Sequence, residues 1–546
     1  MKLSVWNCTD YRVNGVVKMG QLKLKDLYIG KTDGYNEFLE YGSDVCRNLF
    51  FEYPNLNISK LLDGSVYYIC GDKGTGKTML LKYVESLIAD DPDTNFSQFI
   101  RFKKDVDEDQ RNQLKRAALP QAPFEEIIES EIPTDTTIDC VLAWQVYLIK
   151  VIVNRLKATE CGVFERNDIW SKLCSLLDAI YNDKNDTNPL KKILPKIKKG
   201  NVEITAASVA KLNLDLEWTD DSGKTVPFVN VGKKVVDLYS SLTPCENRIY
   251  VFVDELELSL KKTKKYERDI TLIRDLIFAV QYMNEISKIN DYNVFLITAI
   301  RNEVYQHVKS KGLEINKPIH DFGIQIDWRQ KGGNIQEHPL LKMLARRFQY
   351  SEEYHGLTPT PNVYSDYFLP EVGRAKVPIY SYILDQTWYR PRDIIRLFSI
   401  IQSVAGEKNY IDQQTFESVK QRYSEESWAE FEEILTVKYS DREVGGIKIA
   451  LTGLQVPFTV SDFERSINGK ASVFEEVELL QKKKAAFILR DLYDIGVIGN
   501  YGDFPRFSFK GEKDIDPLLP LTFHYPLLRY FKASIRNKEN RLDVYK

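Results

Sequence analysis

Cysteine is sparse and unpatterned in this chain. The 546 residues hold seven (Cys8, Cys46, Cys70, Cys140, Cys161, Cys174 and Cys245), with no CxxC and no Cys/His spacing. That excludes a zinc ribbon, a zinc finger and a thioredoxin-like redox pair. An odd, scattered set reads as reduced, mostly buried thiols of a cytosolic protein. Histidine is scarcer still: His307, His320, His338, His355 and His524 fall at no metal or triad spacing. No PD-x-x-K or His-Asn-His constellation is present either, so nuclease chemistry would have to come from elsewhere. Neither sign of charge dominates, with 75 Lys+Arg against 78 Asp+Glu and a formal net charge of −3. A whole-chain polyanion binder is disfavoured, although a local basic patch fits within such a balance. Long apolar runs are missing as well: "IYVFV" and "NVFLITAI" are strand-sized, far short of the roughly 20 residues a span takes. "MKLSVWNCTDYRVNG" has no apolar h-region of a secretory signal. The expectation is a soluble, cytoplasmic protein with no membrane partner. No fixed-period repeat or low-complexity tract appears, and 12% aromatic residues, 31 of them Tyr, argue against dominant disorder.

The length is too great for one core at roughly 100–200 residues per domain. Residues 1–60 read as an N-terminal approach segment covering one side of the site discussed below. Residues 61–330 carry non-alternating apolar runs, "SVYYIC" (Ser65–Cys70), "RIYVFV" (Arg248–Val253) and "NVFLITA" (Asn293–Ala299), as strands buried on both faces of a parallel sheet do. An insertion is expected at about 100–245. It includes helical "VLAWQVYLIKVIVNRL", and an alternating strand in which Leu212, Leu214, Leu216 and Trp218 separate Asn213, Asp215 and Glu217. Residues 331–436 turn helical, with "HPLLKMLARRFQ" and "RPRDIIRLFSIIQSVA" clearest, and form a lid. In residues 437–546, Thr459, Ser461 or Asp462 caps a helix, "VFEEVELLQKKKAAFILRDLYDIG" continues, and "VIGNYGDFPRFSFKGE" reads as two short strands around a turn. Three helices and a ribbon make a winged-helix-like order.

The sharpest signal is Gly71-Asp72-Lys73-Gly74-Thr75-Gly76-Lys77-Thr78, a full match to G-x-x-x-x-G-K-[ST] followed by Met79. Glycines permit backbone angles at which successive N–H groups converge on phosphate oxygens. The helix opening at the second motif glycine adds its unpaired N–H groups and dipole. Lys77 would reach the β- and γ-phosphates, and the Thr78 hydroxyl would ligate Mg²⁺. By composition the pattern arises in only ~2% of chains this long, and here it sits between a predicted strand and a predicted helix. No Asn-Lys-x-Asp motif reads guanine ("NKPIH" at Asn316 lacks the aspartate), which favours ATP.

"RIYVFVDELELSL" ends a buried strand in Asp254-Glu255. Asp254 would hold the magnesium water shell and Glu255 would orient and polarise the attacking water. Glu257 is a lesser candidate, more simply a solvated loop residue. Thr298, at the end of the next buried strand, would lie beside the γ-phosphate if that strand neighbours the acidic one. Arg301 shares that role, or with Asn302 merely starts the helix "EVYQHV".

These motifs stand in the order seen in P-loop ATPases with a catalytic glutamate, and the chain resembles their AAA+ and STAND-like branch. The resemblance implies an α/β P-loop NTPase core, a parallel sheet sandwiched by helices, with ATP and Mg²⁺ as cofactors. "WYRPRDIIRLFSII" resembles the lid segment of initiator-type AAA+ proteins, in which a sensor arginine contacts the γ-phosphate. That implies Arg392, or Arg390, unless these pair with Asp393 or Asp385 in a surface network. More narrowly, "IQIDW", "RPRD" and "LYDIGVIG" together resemble a little-characterised bacterial ATPase family over roughly residues 20–530. Membership implies a nucleotide-driven switch, a setting among anti-phage defence genes and an effector activity in a partner protein. "RRF" at Arg346–Arg347 is the nearest trans arginine finger, which leaves homo-oligomerisation open. DNA is the other partner to weigh. A winged helix reads DNA with its third helix, here offering Lys482, Lys483, Lys484 and Arg490, with Arg506, Lys510 and Lys513 near the wing. Acidic neighbours make a solvated or protein-docking face the simpler account, with Phe487, Ile488, Leu492 and Ile495 as core.

Overall fold

Apolar runs with no polar alternation need cover on both faces, and they form the centre of a five-stranded parallel sheet. In the computed structural model its strands are β1 (Tyr68–Gly71), β2 (Asn95–Arg101), β3 (Arg248–Asp254), β4 (Val294–Arg301) and β5 (Gly323–Ile326). Their order is β2-β3-β4-β1-β5, and every pairing is parallel. The structure describes residues 20–53, 56–106, 111, 140–159, 162–181, 197–198, 201–204, 225–256, 264–310, 315–329, 334–503, 505–510 and 516–532. The expected strand at Leu212–Trp218 and the candidates Glu257 and Lys513 lie outside them. By internal packing the chain divides into two units. One takes the described residues of Asn55–Lys73 and Lys77–Asp327, the other those of Met1–Pro54, Gly74–Gly76 and Trp328–Lys546.

In the sheet unit β1 runs directly into α1 (Lys77–Ile88) through the glycine-rich loop. Within the expected insertion, α2 (Val141–Lys157) is buried almost throughout, and α3 (Asp168–Tyr181) and α4 (Phe228–Ser240) follow it. A small antiparallel sheet, Ile197–Lys198, Asn201–Glu203 and Thr225–Pro227, lies between the last two. The long helix α5 (Lys264–Ile289) covers the sheet. Its buried Asn284 closes a two-way bond with β4, donating to the Leu296 carbonyl and accepting from the Leu296 N–H, both at 3.0 Å. Trp144 of α2 donates to Leu272 O of α5 at 2.9 Å, and Asp275 takes the Cys140 N–H at 2.7 Å. These bonds satisfy polar groups that burial would otherwise penalise, and they tie α5 to the start of β4 and to α2. The helix α6 (Asn302–Ser310) leaves the end of β4.

The other unit is helical. Its main elements are α7 (Pro339–Tyr354), α8 (Pro391–Ala405), α9 (Gln413–Thr436), α10 (Asp441–Leu451), α11 (Val460–Ala471) and α12 (Ala485–Asp494). Their starts follow capping chemistry. Proline occupies the first turn of α7 and α8, Asp412 accepts the Thr415 N–H, and reciprocal boxes pair Ser440 with Glu443 and Thr459 with Asp462. After α12 come β6 (Ile498–Asn500), its antiparallel partner β7 (Leu521–Phe523) and α13 (Tyr525–Lys532). The local hairpin expected within "VIGNYGDFPRFSFKGE" is therefore replaced by a pairing with a later segment. Arg506 makes only an isolated bridge to Asn500, and Phe507 packs so tightly on Gly499 that no side chain fits there. The apolar β7 supplies the full ladder instead.

The N-terminal segment belongs to this helical unit. Helix Gly34–Leu49 starts at Asp33 and breaks at Gly42, whose φ is 82°. Buried Glu37 accepts from Tyr28 Oη at 2.6 Å and from the Lys31 N–H at 3.0 Å, and pairs with Arg347 Nη2 at 3.0 Å. Arg347 is thus committed internally and cannot serve as a finger offered to another copy, while Arg346 pairs with Glu353 at 2.8 Å.

Immediately before α8, Trp388 and Tyr389 both have positive φ, 47° and 53°. Bulky L-residues avoid this region at about 1–3 kcal/mol each. What holds them is Trp388: fully buried, 4.1 Å from the His524 ring and 5.2 Å from Phe431, with its indole N–H on Gly496 O at 2.9 Å. Trp388→Phe keeps an aromatic ring, though a smaller one, and strands that carbonyl. We expect a loss of about 1–3 kcal/mol, read as a lower thermal midpoint; an unchanged midpoint refutes this account of the bend. Among the described residues no helix is long and apolar enough to cross a membrane.

Candidate phosphate-binding site

β1 ends buried at Gly71, and the loop turns through Gly74 (φ 85°) and Gly76 (φ 93°), angles that favour glycine. Lys77 opens α1 with only 7% of its surface exposed, and its Nζ donates to Gly71 O and Asp72 O, both at 2.8 Å. Burial pushes its ammonium down to about 8, against the pull of Glu303, Asp254 and Asp72. The next residue, Thr78, donates its hydroxyl to Asp254 Oδ2 at 2.6 Å. Loop and acidic strand, 176 residues apart in sequence, therefore meet at one point.

Asp254 closes β3 and is 4% exposed. Its Oδ1 accepts the Glu255 N–H at 2.7 Å, and Glu255 itself adopts a left-handed conformation with φ 57°. The role expected of Thr298 requires its strand to adjoin the acidic one, and β4 does lie between β3 and β1. Thr298 pairs in register with Val253 on one side and Tyr68 on the other. It is fully buried, and its hydroxyl has no hydrogen-bond partner among the described residues. Arg301 stands opposite Gly71 in the β1–β4 ladder. Asn302 reaches the loop, with Nδ2 on Asp72 Oδ1 at 2.6 Å. In the sequence Asn302 reads only as part of a helix start, because a single asparagine after a strand carries no signal of the contact.

The loop tip Gly74–Gly76 packs within the helical unit. There Trp328, of the "IQIDW" segment, donates Nε1 to Thr75 O at 2.9 Å, and the Arg392 N–H lies 3.4 Å from Gly74 O. Lys73 and Met79 flank these residues, both half-buried. The Arg392 guanidinium is held by Glu430 at 2.8 Å and the Thr32 carbonyl at 3.0 Å. Glu430 also pairs with Arg396, which in turn pairs with buried Asp393, whose carboxyl burial pushes up to about 6. Asp385 pairs with Lys510 at 2.6 Å. Arg392 is therefore ion-paired with Glu430, a residue other than the two anticipated aspartates. The side chain of Arg390 forms no ion pair among the described residues. Glu430, which organises this network from α9, was not legible in the sequence.

In the C-terminal helices the basic candidates divide. Lys483 is tied to Glu443 at 3.1 Å and Lys510 to Asp385. Lys482, Lys484 and Arg490 are exposed and make no ion pair among the described residues. Ile488 and Leu492 are core, but Phe487 is 61% exposed, which corrects its assignment to the core. It lies about 100° round the helix from Ile488, beside Lys484, whose ammonium sits 5.7 Å from its ring.

The site thus gathers a buried cation, a glycine-rich turn, a hydroxyl–carboxylate pair and an unpartnered buried hydroxyl. The loop and Asp254 lie at the carboxyl ends of β1 and β3, where open α/β sheets place ligands, while Thr298 stands within β4, three residues before its end. Among the described residues no group of three or more His, Cys, Asp or Glu is positioned to hold a metal. The Thr78–Asp254 pair is instead a two-oxygen set. It suits Mg²⁺, which keeps several waters and takes few protein ligands.

Residues 338–432 match the family model of the FunZ-associated C-terminal helical domain. The match covers α7, α8 and most of α9, a minor part of the chain. No curated protein matches the chain.

Proposed function

We propose that the chain is a P-loop ATPase of the catalytic-glutamate kind, which binds ATP at Gly71–Met79 and acts as a nucleotide-driven switch for a partner effector. The observation that carries this reading is the 2.6 Å bond between Thr78 and Asp254. It brings the hydroxyl of one motif and the carboxylate of the other together, as a shared Mg²⁺ site would require, and so supports the reading. The placement of β4 between β1 and β3 supports it further.

In this reading the loop N–H groups and Lys77 bind the polyphosphate, with Lys77 exchanging its carbonyl partners for phosphate oxygens. Thr78 and Asp254 would hold magnesium, which when bound neutralises charge on the β- and γ-phosphate oxygens. Glu255 accepts a hydrogen bond from the attacking water and orients it. The Thr298 hydroxyl supplies a donor not already engaged, and Arg301 adds positive charge at the same strand end. Arg392 and Arg390 are the candidates for the sensing role that a lid implies. The FunZ-associated match at 338–432 fits a helical domain of that kind without assigning its activity.

A second reading rests on α12, where Lys484, Phe487 and Arg490 face outward. There the C-terminal helices and ribbon act as a winged helix that contacts DNA, and the nucleotide regulates that contact. Steady-state phosphate release from the full chain, with and without duplex DNA, separates the outcomes. Turnover independent of DNA supports the first reading, and turnover or DNA affinity that depends on the other ligand supports the second. Failure to bind Mg–ATP at millimolar concentration sinks both.

A further inference from the structure

An acidic side chain in the second position of an anion-binding loop is an electrostatic liability, because it repels the ligand that the loop's N–H groups attract. Asp72 occupies that position, and it is restrained from two sides. Lys77 Nζ donates to its main-chain carbonyl at 2.8 Å, and Asn302 Nδ2 donates to its carboxylate at 2.6 Å across 230 residues of sequence. Asn302 is the first residue of α6 and follows Arg301, the residue opposite Gly71 in the β1–β4 ladder. An asparagine at a helix start serves its own first turn only through its side-chain oxygen; the amide donor of Asn302 is separate from that role and goes to the loop.

We propose that Asn302 is a positioning residue for the phosphate loop, which engages the Asp72 carboxylate and so couples the start of α6 to the loop's conformation. This rests on the nucleotide-binding reading above. The bond is charge-assisted, with the amide as neutral donor and the carboxylate as charged acceptor. Since Arg301 and Asn302 are consecutive, a shift of the loop is passed to α6 within one residue of the strand end. Glu303, in the first turn of α6, also contributes to the field at Lys77.

The test is Mg-dependent binding of a fluorescent ATP analogue to the full chain, with melting measured alongside. Asn302→Ala should weaken binding about tenfold while the nucleotide-free melting temperature stays within about 2 °C. Asn302→Asp, which sets two carboxylates against each other, should weaken it further. The exchange Asp72→Asn with Asn302→Asp restores a donor and an acceptor in reversed places and should return affinity to within about threefold of the parent. A purely structural contribution would move melting and binding together and show no rescue. If the parent binds and Asn302→Ala binds equally well, or if the exchange is no better than Asn302→Asp, this inference falls alone. A parent chain that binds no nucleotide overturns the nucleotide reading, and this one with it.

Discussion

If the chain is the proposed ATPase, Glu255→Gln should bind Mg–ATP as tightly as the parent chain and hydrolyse it about 10²–10⁴-fold more slowly. The amide keeps the shape of the side chain and its capacity to hold a water, but it is a far weaker acceptor for the proton that leaves that water. The structure gives two reasons to choose Glu255 and not its neighbour. Asp254 is already engaged on both oxygens, by the Thr78 hydroxyl at 2.6 Å and the Glu255 N–H at 2.7 Å. Glu255, by contrast, leaves the strand in a left-handed turn with φ 57°. A non-glycine residue keeps such a conformation only when its surroundings impose it, at about 1–3 kcal/mol. Strain of that size at a strand end beside the glycine-rich loop is the reason to test Glu255 for a chemical role. Glutamine tolerates the same backbone angle no worse than glutamate, so folding is not the variable. Filter binding and single-turnover phosphate release on one preparation give the two numbers. Turnover within threefold of the parent would remove Glu255 from the reaction and leave the chain a binding module.

What could be read in the sequence follows burial. β1, β3 and β4 are central strands, covered on both faces, and their unbroken apolar runs announced them. β2 and β5 are the edges. β2 ("NFSQFIR") is buried only at Phe96 and Ile100, and β5 is four residues long, so neither leaves a run to detect. The loop was legible because its chemistry lies within eight consecutive residues. The Thr78–Asp254 contact spans 176 residues and was reachable only through the logic of paired motifs. Contacts that belong to no motif stayed hidden: Glu37 with Arg347, Glu430 with Arg392 and Arg396, and Asn302 with Asp72. Two local expectations failed for the same reason. β6 pairs with Leu521–Phe523 and not with the nearer "RFSF", and Phe487 turns outward on α12. In each, tertiary packing chose between segments that sequence pattern alone ranks equally.

Lys77→Met should weaken ATP binding a hundredfold or more, since charge-assisted bonds to phosphate contribute about 1.5–3 kcal/mol each and Lys77 would make two. The parent protein should also lose affinity in alkali, and the sign follows from burial. Desolvation lowers the Lys77 pKa to about 8, whereas the unfolded chain holds its proton to near 10.4. Between those values the folded protein has released a proton that the unfolded chain keeps. This group's contribution to stability therefore rises with pH across that window, the reverse of a salt-bridged lysine. Nucleotide affinity moves the other way, because only the ammonium attracts phosphate, and the bound anion restores its pKa. Between pH 7 and pH 9 the affinity should fall about tenfold, measured by calorimetry with the ionisation of ATP and magnesium held in common. The slope should vanish in Lys77→Met, whose residual binding has no such proton to lose. Equal affinity at both pH values in the parent would mean that Lys77 keeps its charge throughout. Parent-like affinity in Lys77→Met would instead describe a structural lysine, buried against Gly71 O and Asp72 O, and the site would lose the group on which phosphate recognition depends.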